Sequence, residues 1–181
     1  MEKTVKKELF SWIQSIFFAM AIAFIVHQFL FVPTKVLGES MLPTFEDEDR
    51  VIVSKVSSID RFDMIVFNAP DADDKYIKRV IGMPGDRVEM IDDVLYINGK
   101  VYDEPYVSYI AGDPITNRIT ENFTLEEMTG SEKVPKGAFF VLGDHRLTSN
   151  DSRSFGFIDQ DEVIGEVKFR FSPFTDIGIP K

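Results

Sequence analysis

The sequence of 181 residues contains no cysteine and only two histidines, His27 and His145. The absence of cysteine excludes a disulfide framework, a thiolate zinc site, a cysteine nucleophile and a lipid-modified cysteine anchor. Two histidines are too few for a multi-histidine metal site. Basic residues are also scarce, because 20 Lys and Arg stand against 30 Asp and Glu. A nucleic-acid partner requires a clustered basic surface, so the composition argues against one.

Two acidic runs, residues 46–49 and 71–74, are the remaining candidates for metal ligands. Neither has the central glycine and the distal glutamate that a calcium loop needs. We therefore interpret both runs as solvated loops and expect neither a metal nor an organic cofactor. The overall composition, 44% hydrophobic and 28% charged, is that of a globular protein and excludes wholesale disorder.

Charged residues are missing altogether between Leu9 and Val32, a stretch of 24 residues. A helix of this length rises about 36 Å, which is enough to cross a hydrocarbon core of about 30 Å. Lysines precede the stretch, and the acidic excess follows it, so the basic bias predicts a cytoplasmic N-terminus. The sequence thus predicts a cytoplasmic tail (residues 1–8), a single-pass anchor in the cell membrane (residues 9–32) and an extracytoplasmic domain (residues 33–181).

Two other interpretations of this stretch remain open. It would also suit a buried core helix, although a small acidic domain could hardly cover an uncharged helix so long. It would also suit a cleaved secretory signal, since Ala19-Met20-Ala21 is a small-residue triplet of the kind that precedes a cut. Cleavage there would leave a strongly apolar new N-terminus, which favours the uncleaved anchor.

Residues 33–181 are typical of β-strands separated by turns. Runs rich in β-branched and aromatic residues occupy residues 50–56, 64–67, 75–81, 87–91, 94–97, 101–102, 138–142 and 163–171. Asn98-Gly99 between two runs is a strong hairpin signal, and one short helix is predicted near Leu125–Met128. The fold class predicted is mainly β: one N-terminal transmembrane helix followed by an antiparallel β domain, with a small inserted β-ribbon region at about residues 87–136.

Ser40 is a candidate nucleophile in a turn that follows the membrane segment, within Gly38-Glu39-Ser40-Met41-Leu42-Pro43. A nucleophilic serine needs a base within hydrogen-bond reach. His145 with Asp144 would complete a Ser-His-Asp triad. Adjacent residues of an extended chain point to opposite faces, however, so Asp144 would orient His145 poorly.

Lys78 is the alternative base, because it lies in an apolar run between Tyr76-Ile77 and Val80-Ile81. A lysine accepts a proton only when it is neutral, and bringing its pKa from about 10.4 to near neutrality takes roughly 4 kcal/mol. Only burial in an apolar setting supplies that much. The competing interpretation is an exposed Lys78–Arg79 pair on an edge strand.

Three stretches together resemble the bacterial type I signal peptidases, and in particular their smaller Gram-positive members. They are G-E-S-M-L-P-T-F from residue 38, Y-I-K-R-V-I-G-M-P-G-D-R-V from residue 76, and G-D-H-R-L-T-S-N-D-S-R-S-F-G-F-I from residue 143. Their order after one membrane span makes the resemblance specific. It implies a membrane-bound serine endopeptidase that cleaves signal peptides from translocated precursors through an acyl-enzyme. The implied partners are those signal peptides and the lipid bilayer.

The resemblance also implies roles for individual residues. Ser40 would be the nucleophile, Lys78 the general base, and Ser149 the residue that orients the lysine by a hydrogen bond. The implied structural ion pairs join Arg79 to Asp144, and Asp151 to either Arg153 or Arg146. Shallow apolar pockets selecting Ala-x-Ala are expected, with five candidate lining residues: Val36, Met41, Phe45, Tyr76 and Ile77.

Two positions depart from the family pattern. His145 stands where many members have Asn, which keeps the triad testable. Gly38 stands where some members have a hydroxyl residue that donates to the oxyanion, so the backbone N–H of Ser40, a water or another donor must act instead. A different class of function also fits the composition and the anchor: a non-catalytic, membrane-tethered β domain that scaffolds an envelope complex.

Overall fold

The chain begins as one long apolar helix. The computed structural model describes residues 2–107 and 118–180; Met1, Lys181 and residues 108–117 of the predicted insert lie outside the described residues. Helix α1 spans Glu2–Ile25 and continues as one π-helical turn, Val26–Leu30. The stretch Phe10–Leu30 is long and apolar enough to cross a membrane, and none of its most apolar window is buried against the rest of the chain. The interpretation as a buried core helix is therefore wrong.

The helical region ends earlier than the sequence predicts. The last two residues of the predicted span belong to strand β1 (Phe31–Lys35), which pairs antiparallel with β2 (Arg50–Ser54). Pro33 is tolerated in β1 because this strand lies at the edge of its sheet. The β domain thus starts directly after the helix.

Most of the remaining elements lie close to the positions predicted from the sequence, except the short elements at residues 123–124, 152–155 and 158–159, which were not predicted. In chain order they are β3 (Met64–Asn68), β4 (Lys75–Gly82), β5 (Val88–Ile91), β6 (Val94–Ile97), β7 (Lys100–Tyr102), β8 (Phe123–Thr124), α2 (Leu125–Thr129), β9 (Ala138–Leu142), α3 (Ser152–Phe155), β10 (Ile158–Asp159) and β11 (Val163–Ser172). Seven strands form the main sheet, in the order β1-β2-β11-β3-β4-β9-β10, and each neighbouring pair is antiparallel. The predicted mainly antiparallel β fold with one N-terminal apolar helix is confirmed.

The inserted region forms a separate four-stranded sheet in the order β7-β6-β5-β8. Its two tight turns place both central residues at positive φ, Asp92-Asp93 between β5 and β6 and Asn98-Gly99 between β6 and β7. This backbone twist suits two-residue hairpins, and it explains why Asn, Asp and Gly occupy these turns.

Strand β9 joins the two sheets into one core. All five of its residues are buried. Ala138, Phe140 and Leu142 pack against the inserted sheet, whereas Phe139 and Val141 pack on the opposite side with residues of β3 and β4. The same alternation along β4 directs Ile81 and Val80 into these two clusters. Because β4 lies between β3 and β9, its polar residues Lys78 and Arg79 are held inside the fold.

Close packing between β11 and β2 requires a glycine at residue 165. A Cβ added there would lie 2.1 Å from the backbone oxygen of Ser54, at an irregularity in the pairing of β11. We expect Gly165→Ala to lower the free energy of unfolding by about 1–3 kcal/mol because backbone must shift to admit the methyl group. Gly178→Ala is the matched control, since a Cβ there meets nothing within 4 Å. Chemical denaturation of the detergent-solubilised chain measures both, and equal stability of the two variants would contradict this account.

Candidate active site

Ser40 and Lys78 lie in contact at the mouth of a cleft. Ser40 belongs to the turn of residues 40–44 that follows β1, and Lys78 projects from β4. The Nζ of Lys78 donates to Ser40 Oγ at 2.8 Å and to the carbonyl oxygen of Ile77 at 3.1 Å. Lys78 and Arg79 are each only 3% exposed. The interpretation as an exposed pair on an edge strand is therefore wrong.

Burial lowers the pKa of Lys78 to about 8 from the ordinary lysine value of 10.5. Three carboxylates oppose this effect and raise the pKa: Asp151 most, then Asp144 and Asp71. The Nζ also lies 5.1 Å from the centre of the Tyr76 ring. Desolvation is the dominant effect, so a substantial fraction of the amine is neutral at mildly alkaline pH.

Arg79 and Asp144 form a buried ion pair beside the lysine. Two guanidinium nitrogens of Arg79 donate to the two carboxylate oxygens of Asp144 at 2.9 and 2.7 Å. Asp144 also accepts a hydrogen bond from the hydroxyl of Thr44, and this bond connects the Ser40 turn to the ion pair. A bidentate pair of this kind fixes both position and direction, so it anchors the strand that carries Lys78.

A second ion pair shapes the catalytic loop, which we define as residues 143–153. Arg153 donates to both oxygens of Asp151 at 2.8 Å, and Asp151 accepts the backbone N–H of Gly143 at 3.0 Å. Of the two partners that the sequence left open for Asp151, the structure selects Arg153. Arg146 instead pairs with Glu104 of the inserted region.

Ser149 lies close to the Ser40 backbone without the hydrogen bond to Lys78 that the resemblance implies. Its Oγ is buried and has no hydrogen-bond partner among the described residues. It packs against Gly143, where an added Cβ would lie 2.1 Å from Ser149 Oγ and 2.5 Å from the carbonyl oxygen of Ser40. Glycine at residue 143 therefore permits the two serines to approach each other.

His145 is oriented away from a triad role. Its Nδ1 lies 3.2 Å from the carbonyl oxygen of Glu39 and 2.9 Å from Thr148 Oγ1, while its backbone N–H donates to the Ser40 carbonyl at 3.1 Å. The carboxylate of Asp144 binds Arg79 and Thr44 instead of the imidazole. The geometry thus favours Lys78 over His145 as the partner of Ser40.

The cleft in front of Ser40 has a volume of about 480 Å³. Residues 34–41 form one wall, and residues 74–78 form the other. Val36, Met41, Tyr76 and Ile77 line it, as four of the five pocket candidates should. The fifth, Phe45, is fully buried in the core behind Val36 and Met41. Phe45 is consequently a packing residue and does not line the cleft.

The acidic runs are only partly the solvated loops that the sequence predicts. Asp49 is buried and accepts a hydrogen bond from Arg170 at 3.0 Å, and Asp71 accepts one from Asn150 at 2.6 Å. Within residues 2–107 and 118–180, no group of three or more His, Asp or Glu side chains is arranged to hold a metal ion.

Sequence reasoning missed Thr44 and Glu104 as neighbours of the site. Thr44 stands inside the first of the three quoted stretches, four residues after Ser40, so the motif itself carried the signal. Glu104 lies in a polar, turn-rich segment, and nothing local distinguishes it from other exposed acidic residues. Only the fold brings it to Arg146.

Comparisons with known proteins point to one family. The family model described as "Signal peptidase, peptidase S26" matches residues 9–172. Signal peptidase IB of Staphylococcus aureus is 45% identical over 180 residues, covering 95% of this chain and 94% of that protein. Signal peptidase I of Bacillus caldolyticus is 47% identical over 162 residues, covering 87% and 88%.

A solved structure is similar as well. The crystal structure of a signal peptidase I from Enterococcus faecalis V583 matches with a TM-score of 0.58 and 44% identity, covering 61% of this chain and 97% of that one. With a family model that spans most of its length and relatives at this level of identity, the chain belongs to the signal peptidase family, peptidase S26.

Proposed function

We propose that the chain is a membrane-bound serine endopeptidase that removes N-terminal signal peptides from translocated precursors with a Ser40–Lys78 dyad. The observation that carries the proposal is the 2.8 Å contact between Ser40 Oγ and a lysine that is 3% exposed. Lowering a lysine pKa from 10.5 to about 8 disfavours its charged form by about 3 kcal/mol. A scaffold gains nothing from that cost, whereas a general base requires it.

The reaction begins with proton transfer inside the dyad. Neutral Lys78 Nζ accepts the hydroxyl proton of Ser40 as Oγ attacks the scissile carbonyl. The backbone N–H of Ser40 is the expected donor to the developing oxyanion, because Gly38 provides no hydroxyl and its own N–H donates to Asp47. The lysine then returns its proton to the leaving amine. Water then attacks the acyl-enzyme while the neutral amine of Lys78 accepts its proton, and Lys78 gives this proton to Ser40 Oγ as the carboxylic acid product leaves.

The substrate is expected to bind as an added β-strand. Strand β3 pairs with Lys75–Arg79 of β4, but β9 pairs only with Arg79–Gly82, so one edge of residues 75–77 faces the cleft. The opposite wall continues from the edge strand β1. An extended peptide between these two edges gains main-chain hydrogen bonds from both, which selects for an extended segment whatever its side chains.

Side-chain selection follows from the alternation of that strand. The substrate side chains one and three positions before the cut point the same way, toward the floor of the cleft. Val36, Met41, Tyr76 and Ile77 form this floor. Val36 and Met41 are nearly fully buried, so the floor is apolar and close-packed. Such a floor accepts small side chains and excludes large ones, which is the basis for an Ala-x-Ala preference.

The membrane anchor supports the choice of substrate. We propose that α1 and the following turn cross the membrane with the N-terminus in the cytoplasm, which places the catalytic domain on the outer face. A signal peptide in the same bilayer is then held near the cleft, and this raises its effective concentration without any new contact.

Replacing Lys78 tests the base directly. We expect Lys78→Ala and Lys78→Arg each to lower the rate of precursor cleavage by 10³-fold or more, on the order expected for loss of an activating base. Arginine fails because its guanidinium does not lose its proton at accessible pH.

The controls for this experiment are Lys136→Ala and His145→Ala. Lys136 is an exposed lysine that does not line the cleft, and the hydrogen bonds of the His145 side chain within the described residues go to Glu39 and Thr148. Both variants should retain most of the turnover of full-length protein in detergent micelles. A collapse of His145→Ala to the level of Ser40→Ala would favour the triad and refute the lysine base.

The pH dependence of cleavage should follow the titration of Lys78. Its pKa lies at about 8, and only the neutral amine is active, so kcat/KM should rise about tenfold per pH unit below 8 and level off above it. Asp71→Asn removes a charge that raises this pKa, so the midpoint should move toward lower pH. A flat profile between pH 5 and 9, or a midpoint that moves the other way, would count against the assignment.

Gly143→Ala should inactivate the protein without unfolding it. The added methyl group would press on Ser149 Oγ and on the backbone of Ser40, and displacing a catalytic group by about 1 Å costs on the order of 10²-fold in rate. Gly178→Ala, at an open position, is the matched control. Full activity of Gly143→Ala at an unchanged melting temperature would show that the close contact of Gly143 with Ser40 and Ser149 is not required for cleavage.

A further inference from the structure

Glu104 and Tyr106 of the inserted region reach back to the catalytic loop. Glu104 accepts from the two terminal nitrogens of Arg146 at 2.5 and 3.2 Å, and the hydroxyl of Tyr106 donates to Glu104 at 2.9 Å. The Arg146 side chain is 1% exposed and that of Glu104 is 10% exposed. Burial disfavours the charge on Arg146, but Glu104 together with Tyr106 and Asp144 outweighs this effect and raises the pKa of the guanidinium. The arginine stays charged because these partners are present.

Arg146 transmits this contact to the reacting serine through Gly143. Its Nε donates to the carbonyl oxygen of Gly143 at 2.9 Å. Gly143 in turn packs so closely against the Ser40 carbonyl and Ser149 Oγ that a single added carbon would collide with both. The position of the Gly143 backbone therefore limits where Ser40 can lie.

Tyr106 packs against Arg79, the neighbour of Lys78 in β4. Its ring centre lies 3.9 Å from the guanidinium carbon of Arg79, the residue after Lys78 in β4. Burial raises the pKa of the Tyr106 hydroxyl, so it remains a donor to Glu104 at every working pH. One pair of residues from the insert thus supports the strand of the base and the loop beside the nucleophile.

We propose that Glu104 and Tyr106 are positioning residues for the peptidase reaction. They hold the side chains of Arg146 and Arg79. These two arginines in turn keep the spacing of Gly143, Ser40 and Lys78. Neither residue touches the reacting atoms. The inference rests on the proposed function, because it assigns a role within that reaction.

The insert does not need this contact to stay attached to the domain. A buried apolar cluster already joins the two sheets, with Val88, Met90, Leu95 and Ile97 from the inserted sheet packed against Phe140 and Leu142 of β9. Because this cluster already holds the insert on the domain, loss of the Glu104–Arg146 contact is expected to change the geometry of the site more than the stability of the fold. A loss of kcat without a matching loss of stability therefore distinguishes positioning from stabilisation.

The test uses the full-length chain in detergent micelles and a precursor with an intact signal peptide. Glu104→Gln keeps the shape of the side chain and removes its charge, and Tyr106→Phe keeps the ring over Arg79 and removes the donor. Glu132→Gln is the matched control, because Glu132 accepts from Arg87 at 2.7 Å in an exposed ion pair of the same region. The readouts are kcat, KM and the midpoint of thermal unfolding.

We expect Glu104→Gln to lower kcat by about 10- to 100-fold while KM stays within about twofold, as for a loss of alignment. Tyr106→Phe should show the same split to a smaller extent, and Glu132→Gln should match the wild type. The double variant Glu104→Gln with Arg146→Met removes the uncompensated buried charge, so its unfolding midpoint should recover. Its kcat should stay low because the contact with Gly143 is absent.

Two results would overturn the inference. One is a folded Glu104→Gln variant with the kcat of Glu132→Gln. The other is a double variant that recovers kcat together with stability, which would mean that Glu104 acts on folding alone. Failure of the wild type to cleave the precursor, or cleavage that survives Ser40→Ala, would refute the proposed function itself, and wild-type turnover measured alongside distinguishes the two cases.

Discussion

The site depends on keeping one ammonium group out of water. Lys78 is buried among β-strands, and this desolvation outweighs three nearby carboxylates in setting its pKa. The pKa of Lys78 reflects a balance between burial and these carboxylates, and each carboxylate also has a structural partner. Asp144 neutralises Arg79, Asp151 fixes the catalytic loop, and Asp71 binds Asn150. The fold must therefore place acidic groups where they organise the loops near Lys78. It must also exclude enough water from the Lys78 amine to favour its neutral form.

Buried arginines carry much of that organisation. Arg79 and Arg146 have side chains that are 3% and 1% exposed, and each is met by a carboxylate from a distant part of the chain. Arg153 does the same locally, within the loop. Planar guanidinium groups suit this task because they fix the direction of several donors at once. The result is a site whose strand and loops are held in place by buried ion pairs.

The sequence predicted the strands well because their signals are local. Alternation, β-branched runs and the Asn98-Gly99 turn specify β4, β9 and the inserted hairpins without knowledge of the rest of the fold. Strand β1 was missed, since its residues continue the apolar run of the helix and contain a proline. Its strand character comes from pairing with β2, which is a tertiary effect.

For the site, the residues inside the three motifs were predictable and their partners were not. The pairing of Arg146 with Glu104 joins residues that are 42 positions apart, and no local pattern marks the glutamate. The burial of Phe45 and the missing hydrogen bond of Ser149 likewise depend on packing between segments. A resemblance identifies residue types at positions, whereas the contacts that give those residues their chemistry are formed only in the folded chain.

The direct passage from helix to β1 limits the distance between Ser40 and the membrane in the anchored arrangement proposed above. Ser40 lies ten positions after Leu30, the end of the helical region. At about 3.3 Å per extended residue, Ser40 lies no more than roughly 33 Å along the chain from the helix. In the proposed arrangement, a precursor whose own hydrophobic segment lies in the bilayer must present its scissile bond within that interval. The chain length between the apolar core of a precursor and its scissile bond is then a selection criterion independent of the residues in the cleft.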